Sequence, residues 1–229
     1  EKWLQANAVF KFWKAKPQGD DINIYHPDGS EAETFCFLRQ QSENKTKHTA
    51  KCLSDYILPD GDYLGAFAVT AGIGIEKKLA EFHEQHDDYK SILLKALADR
   101  LAETFAEVLH KKVREEYWGY ARNESLTPSD LIQEKYQGIR PAPGYPACPE
   151  HTEKEKIFAL LSAAEIGMEI TDSMSMLPAA SVSGFYFSHP ESRYFGVGKL
   201  GKDQVEDYAK RKGWDLSTAE RWLAPYLAY

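Results

Sequence analysis

The sequence predicts an α+β fold: a single domain with a largely antiparallel twisted sheet, a long central helix and peripheral helices. Three observations lead there. Short β-branched and aromatic runs, punctuated by Pro, Asp and Gly, fill the first third of the chain. One long stretch with helical periodicity occupies residues 88–117. Strands and helices are segregated along the chain and do not alternate as βαβ units would.

Residues 1–7 read as the tail of a helix. The chain opens Glu1-Lys2-Trp3-Leu4 without a methionine, which suggests an N-terminally incomplete piece, 1–229, of a larger polypeptide. Residues 8–13 have strand composition and residues 17–20 have turn chemistry. Residues 22–25 alternate as a second strand, closed by the Pro27-Asp28-Gly29-Ser30 turn, and residues 34–38 form a third. The polar run 40–51 is a loop. Residues 53–57 lead into a turn at Pro59-Asp60-Gly61. Residues 63–70 are nearly all apolar, as expected of a central strand covered on both faces.

A short helix is expected over 76–82 and the longest one over 88–117. At about 100° per residue, Leu93, Leu94, Leu97, Leu101, Phe105, Val108 and Leu109 share one broad stripe, the expected core face. Ile92, Ala96, Asp99, Glu103, Ala106 and His110 lie opposite. Asp99 and Glu103 are i, i+4 neighbours whose like charges repel unless a cation or donor sits between them. Small and apolar residues around the two acids suggest a covered face. The alternative is an ordinary solvated face with Lys95 and Arg100 as screens.

Thr127 and Pro128 read as the N-cap and first residue of a short helix over 128–135. Another helix ends at Leu161. Residues 170–176 and 181–187 read as strands, residues 188–192 as a turn, and residues 193–198 as the strand completing a hairpin. Helices over 202–211, stopped at Gly213, and 217–223, stopped before Pro225, finish the chain.

Composition narrows the function. A net charge of −7 argues against nucleic acid as the main partner. No apolar run approaches the ~20 residues of a membrane span. Cys36, Cys52 and Cys148 are an odd number without C-x-x-C spacing and read as reduced thiols of a cytoplasmic protein. His83 and His86 lie among acids with no further ligand at metal-site spacing, so no metal is expected. Ser183-Gly184 lacks the nucleophile-elbow context. Gly72-Ile73-Gly74 and Gly196-Val197-Gly198 are glycine pairs without a phosphate-binding fingerprint. Binding is therefore expected of this chain, and no catalytic side chain.

The stretch best suited to binding is Ile139-Arg140-Pro141-Ala142-Pro143-Gly144-Tyr145-Pro146-Ala147-Cys148-Pro149. Its prolines remove backbone donors and fix φ, which excludes a helix or an internal strand. Gly144 allows positive φ or a close approach. The product is a stiff arch with the Arg140 guanidinium at its mouth, suited to a small carboxylate because little ordering entropy is left to lose. A proline-rich connector between two halves of a domain is the competing reading.

Together with this arch, the tail Glu150-His151-Thr152-Glu153-Lys154 and the run Asp203-Gln204-Val205-Glu206-Asp207-Tyr208-Ala209 closely resemble the C-terminal activation domain of cobalamin-dependent methionine synthase. The resemblance continues through Leu38-Arg39-Gln40-Gln41, the segment 95–103, and Glu220-Arg221-Trp222-Leu223-Ala224-Pro225, and covers essentially the whole chain. It implies binding of S-adenosylmethionine and delivery of its methyl group to cobalamin after cob(II)alamin is reduced, which reactivates the methyltransferase. It also implies two partners: the cobalamin-binding domain of the same polypeptide, and flavodoxin or a flavoprotein reductase as electron donor. Cobalamin and zinc would belong to upstream domains, since the cobalamin-binding D-x-H-x-x-G motif is absent here. By position the resemblance assigns Arg140 to the ligand carboxylate, Ala142, Gly144 and Tyr145 to contacts through the arch, and Tyr194 with Phe195 to another wall. Glu103 is carried over as an acid near the ligand, with Asp99 and Glu134 as outer neighbours. A family aspartate in a segment before Glu1 has no counterpart, which predicts weakened ligand binding. A docking module that recruits the reductase and clamps the cobalamin domain without ligand is the rival expectation.

Overall fold

The computed structural model describes residues 4–41 and 50–229. The strands are β1 (Gln5–Gln18), β2 (Asp21–Tyr25), β3 (Glu31–Cys36) and β4 (Asp62–Ile73). The helices α1 (Ile75–Glu84), α2 (Asp88–Lys112), α3 (Pro128–Ile132) and α4 (Glu153–Leu161) follow. The chain ends through β5 (Glu169–Ile170), β6 (Met176–Leu177), β7 (Ser181–Tyr186), α5 (Lys202–Lys212) and α6 (Leu216–Leu223). Among the described residues one antiparallel sheet holds five strands in the order β3-β2-β1-β4-β7. The fold is α+β, as the segregated pattern predicts.

Contacts group the chain into two compact units. The first comprises Glu1–Lys11, Ala66–Glu134 and Lys154–Gly184; the second comprises Phe12–Gly65, Lys135–Glu153 and Phe185–Tyr229. In the first unit α1 packs on α2, and Ile75, Phe82, Leu94, Ala98 and Ala180 form a core cluster. Asp87 caps α2 by accepting the Lys90 N–H at 3.0 Å. A π-helical turn, Val113–Tyr117, extends α2 so that helical backbone covers the expected 88–117. The turn leaves Arg114 buried, and Glu124 neutralises it with a fork of contacts at 2.7–3.2 Å.

In the second unit β2 pairs antiparallel with β1 and β3, Ile24 opposite Ala15 and Ile22 opposite Phe35. Cys36, Leu38, Leu200, Val205, Tyr208 and Leu223 close a core beneath α5 and α6. Phe185 meets Phe35 and Phe37 edge to face at 4.8 and 5.4 Å.

Several local expectations need correction. Residues 5–7 belong to β1 and are not helical; Asn7 donates to the Ile166 carbonyl at 3.2 Å, and Phe10 meets Tyr117 at 4.9 Å. Residues 1–3 of that expected helix tail, and most of the expected 40–51 loop, lie outside the described residues. Pro17 sits inside β1 opposite Ile22, tolerated next to the strand end. The single strand expected over 170–176 is a hairpin of β5 and β6, turned by Thr171 N–H to Ser175 and Met174 N–H to Thr171. Residues 193–198 form no strand. Side chain and arch replace the ladder there: Tyr56 Oη bonds both Arg193 backbone groups, and Val197 N–H donates to Pro146. α3 stops at Ile132, and Glu134 beyond it takes φ +53°.

The largest correction concerns the faces of α2. Its buried line is Leu94, Ala98, Ala102, Ala106, Leu109 and His110. Leu93, Leu97, Leu101 and Val108, expected in the core, are exposed, and Ala106 and His110, expected opposite the core, are buried. Close packing against the alanines selected the small face. A count of apolar residues favours the large one.

Candidate ligand-binding site

The arch lies wholly in the second unit, and its backbone is satisfied piece by piece. Ile139 exchanges two hydrogen bonds with Phe187 at 3.0 Å, and Phe185 N–H reaches the Pro141 carbonyl at 2.8 Å. Two turns follow: Tyr145 N–H donates to Ala142 at 3.1 Å and Cys148 N–H to Tyr145 at 2.9 Å. Gly144 N–H closes the loop on the Cys148 carbonyl at 2.8 Å. Gly144 has φ +96°, and a Cβ placed on it would lie 2.2 Å from the His151 ring. Only glycine fits, for two independent reasons.

Arg140 is pinned at both ends. Its backbone N–H donates to Tyr194 Oη at 3.0 Å, and its Nη1 donates to Tyr136 Oη at 3.1 Å. The two tyrosine hydroxyls are 3.4 Å apart, and the guanidinium carbon lies 5.9 Å from the Tyr136 ring centre. Tyr194 is 36% exposed, yet its hydroxyl is enclosed by these partners. Burial, reinforced by the Tyr136 hydroxyl, pushes the Tyr194 pKa well above its ordinary value, so it remains a neutral donor and acceptor. A half-exposed guanidinium held this way can offer N–H groups to a carboxylate with little further ordering.

Beneath the arch lies a buried charge cluster. Lys212 Nζ contacts Glu153 Oε1 at 2.7 Å, Thr152 Oγ1 at 2.8 Å and Glu150 Oε2 at 3.3 Å. The lysine side chain is 6% exposed and the two carboxylates 0–2%. Tyr208 Oη donates to Glu150 at 3.2 Å, Cys36 N–H reaches Glu153 at 3.4 Å, and Lys212 lies 4.6 Å from the Trp214 ring centre. Burial opposes the Lys212 charge, but Glu153 and Glu150 outweigh it and raise the pKa above the ordinary value. Burial, with Glu153 and Glu150 adding to it, pushes the Cys148 thiol up, so the arch cysteine is no nucleophile.

The sequence-predicted residues divide as follows. Arg140, Ala142, Gly144, Tyr145, Tyr194 and Phe195 all fall in the second unit. Tyr194 and Arg140 are in contact, Ala142 and Tyr145 share the arch turn, and Tyr145 is exposed. Phe195 packs against the core cluster, 6.3 Å from Tyr56. Glu103, Asp99 and Glu134 fall in the first unit. There Asp99 and Glu103 line an open cleft of about 400 Å³ with Ala96, Arg100, Ser181 and Val182. Glu134 is exposed after α3. Among the described residues no His, Cys, Asp and Glu cluster could hold a metal ion. No helix of the described chain is long and apolar enough to cross a membrane. Tyr136, His151 and Lys212 were not predicted. Tyr136 stands four residues before Arg140, which is a local hint, but Lys212 carries no signal pointing 59 residues back to Glu153.

Residues 1–213 match the model of the activation domain of vitamin B12-dependent methionine synthase. A crystal structure described as the MetH reactivation domain bound to AdoHcy superposes with a TM-score of 0.95 at 52% identity. The match spans all of this chain and 72% of that one.

Proposed function

We propose a function from one premise: this chain belongs to the family of vitamin B12-dependent methionine synthase activation domains. In this reading the arch of the second unit seats S-adenosylmethionine and holds its methyl group toward a cobalamin carried by another domain of the same polypeptide. Bound cobalamin supplies the reduced metal that accepts the methyl group, so an inactive methyltransferase returns to its working cycle. The chain itself has no D-x-H-x-x-G segment, and holding that cofactor falls to a neighbouring domain. The electron comes from flavodoxin or a flavoprotein reductase.

The pinned arginine carries the reading. Arg140 would take the amino-acid carboxylate, charge against charge, with the fork geometry that guanidinium and carboxylate share. Ala142, Gly144 and Tyr145 would meet the ligand through the arch backbone, and Tyr194 and Phe195 would bound it from the segment after β7. These groups act by placement, and none has to gain or lose a proton. The AdoHcy held by the 52% identical relative supports the ligand class. Glu103, Asp99 and Glu134 are carried over by resemblance alone.

Titration calorimetry tests it directly. S-adenosylmethionine and S-adenosylhomocysteine should both bind, and Arg140→Ala should weaken each by about 1.5–3 kcal/mol, the range for a charge-assisted bond. Arg140→Lys should recover only part, because the fork is lost. Binding unchanged by Arg140→Ala would remove the arch from the site. No binding at all would favour a docking role without ligand.

A further inference from the structure

We propose that Tyr136, which the resemblance leaves unassigned, is the positioning residue that makes Arg140 selective for a ligand carboxylate. The proposal rests on the reading of the arch as the S-adenosylmethionine seat. Tyr136 and Arg140 stand four residues apart, yet residues 136–140 are not helical. Gly138 bends the chain between them at φ +85°, a value that favours glycine. The residues on either side of it fasten the bend to the segment after β7. Gln137 Nε2 donates to the Ser188 carbonyl at 2.8 Å, and Ile139 exchanges its two bonds with Phe187. Anchored backbone therefore delivers the tyrosine to the arginine.

The contacts close a circuit. Arg140 N–H donates to Tyr194 Oη at 3.0 Å, Tyr194 Oη lies 3.4 Å from Tyr136 Oη, and Tyr136 Oη accepts from Arg140 Nη1 at 3.1 Å. The circuit starts at the main chain of the arginine and ends at its guanidinium, so one pair of hydroxyls sets both its register and its reach. Tyr136 is 5% exposed, and its ring centre lies 5.9 Å from the guanidinium carbon, so packing holds the hydroxyl in place. A loose arginine side chain samples many rotamers, and ligand binding is weakened by that entropy unless it is lost beforehand. A hydroxyl fixes a guanidinium without cancelling its charge, whereas a carboxylate in its place would compete with the ligand. Tyr136 acts through Arg140 and counts only for ligands that end in a carboxylate.

Calorimetry with S-adenosylmethionine on the wild type, Tyr136→Phe, Arg140→Ala and the double variant tests the role. Tyr136→Phe keeps the ring and its packing and removes only the hydroxyl. It should weaken binding about five- to ten-fold, the effect of one hydrogen bond. In the Arg140→Ala background the same change should alter affinity by less than about two-fold, because the group it acts through is gone. Decarboxylated S-adenosylmethionine gives a second readout: wild type and Tyr136→Phe should bind it equally to within about two-fold. A tyrosine with a merely structural role would weaken both ligands and both backgrounds alike, and that result overturns the proposal. So does a Tyr136→Phe variant that binds S-adenosylmethionine as the wild type does while Arg140→Ala shows its full loss. Arg140→Ala without effect is a different failure, since it removes the arch from the site and the role of Tyr136 with it.

Discussion

The arch and α2 are both rigid, for opposite reasons. α2 satisfies its own backbone turn by turn, so the choice of buried face is left to side-chain packing. The arch has few donors left and leans on partners far away in sequence: Ile139 and Arg140 N–H donate to the Phe187 carbonyl and the Tyr194 hydroxyl, while Phe185 and Val197 N–H donate to its Pro141 and Pro146 carbonyls. Rigidity generated locally leaves the surface chemistry unspecified. Rigidity borrowed from elsewhere ties a binding loop to the stability of its surroundings, and substitutions should therefore hurt the arch at a distance and α2 only where it is packed.

The largest expected effect breaks that tie at Lys212. Lys212→Met strands two buried carboxylates, and urea denaturation should show a loss of about 3–5 kcal/mol. Adding Glu153→Gln should return part of it, since less uncompensated charge remains. The pH dependence has a definite sign. The folded pKa of Lys212 is raised, so its contribution is complete below the ordinary lysine value near 10.5 and fades as pH climbs through the folded value. Between pH 6 and pH 9 the lysine should add no slope. A cost below about 1 kcal/mol would mean the cluster does not hold the arch.

A smaller effect is expected within the arch itself. Gly144→Ala combines a strained φ of +96° with a Cβ 2.2 Å from the His151 ring, and should cost about 2–3 kcal/mol and loosen ligand binding. In the double variant with His151→Ala the steric part should vanish while the backbone strain remains. Full recovery in that double variant would show that the glycine is required only for space.

Much of this was legible. Four prolines around one glycine announce a rigid arch wherever the chain folds, and Thr127-Pro128 announces a helix start, because those signals are local. Asp99 and Glu103, expected on a covered face, are exposed on the wall of an open cleft. Three features were hidden for physical reasons. The two units interleave, the chain passing between them after residues 11, 65, 134, 153 and 184, so no compositional break marks a boundary. The Arg193–Gly198 stretch has strand composition, but Tyr56 and Pro146 replace the ladder partners. On α2 the richest apolar face is not the buried one, since backbone approach at Ala98, Ala102 and Ala106 decides what packs. Ala102→Leu should accordingly cost about 2 kcal/mol by overpacking a position 1% exposed, read as a lower thermal midpoint.

The smallest effect is the sharpest test of that reading. Leu97→Gln keeps helix propensity almost constant, so any loss reports burial and little else. With Leu97 51% exposed, the 229-residue chain should lose no more than about 0.5 kcal/mol, as for other solvated positions. Had the apolar periodicity of α2 named the core face correctly, deleting a buried leucine contact would cost about 2–5 kcal/mol. The two readings differ several-fold on one substitution four residues from Leu101 and Leu93. A loss in the upper range would reverse the assignment of faces. A negligible one keeps α2 as a helix packed by its alanines, with its leucines presented outward.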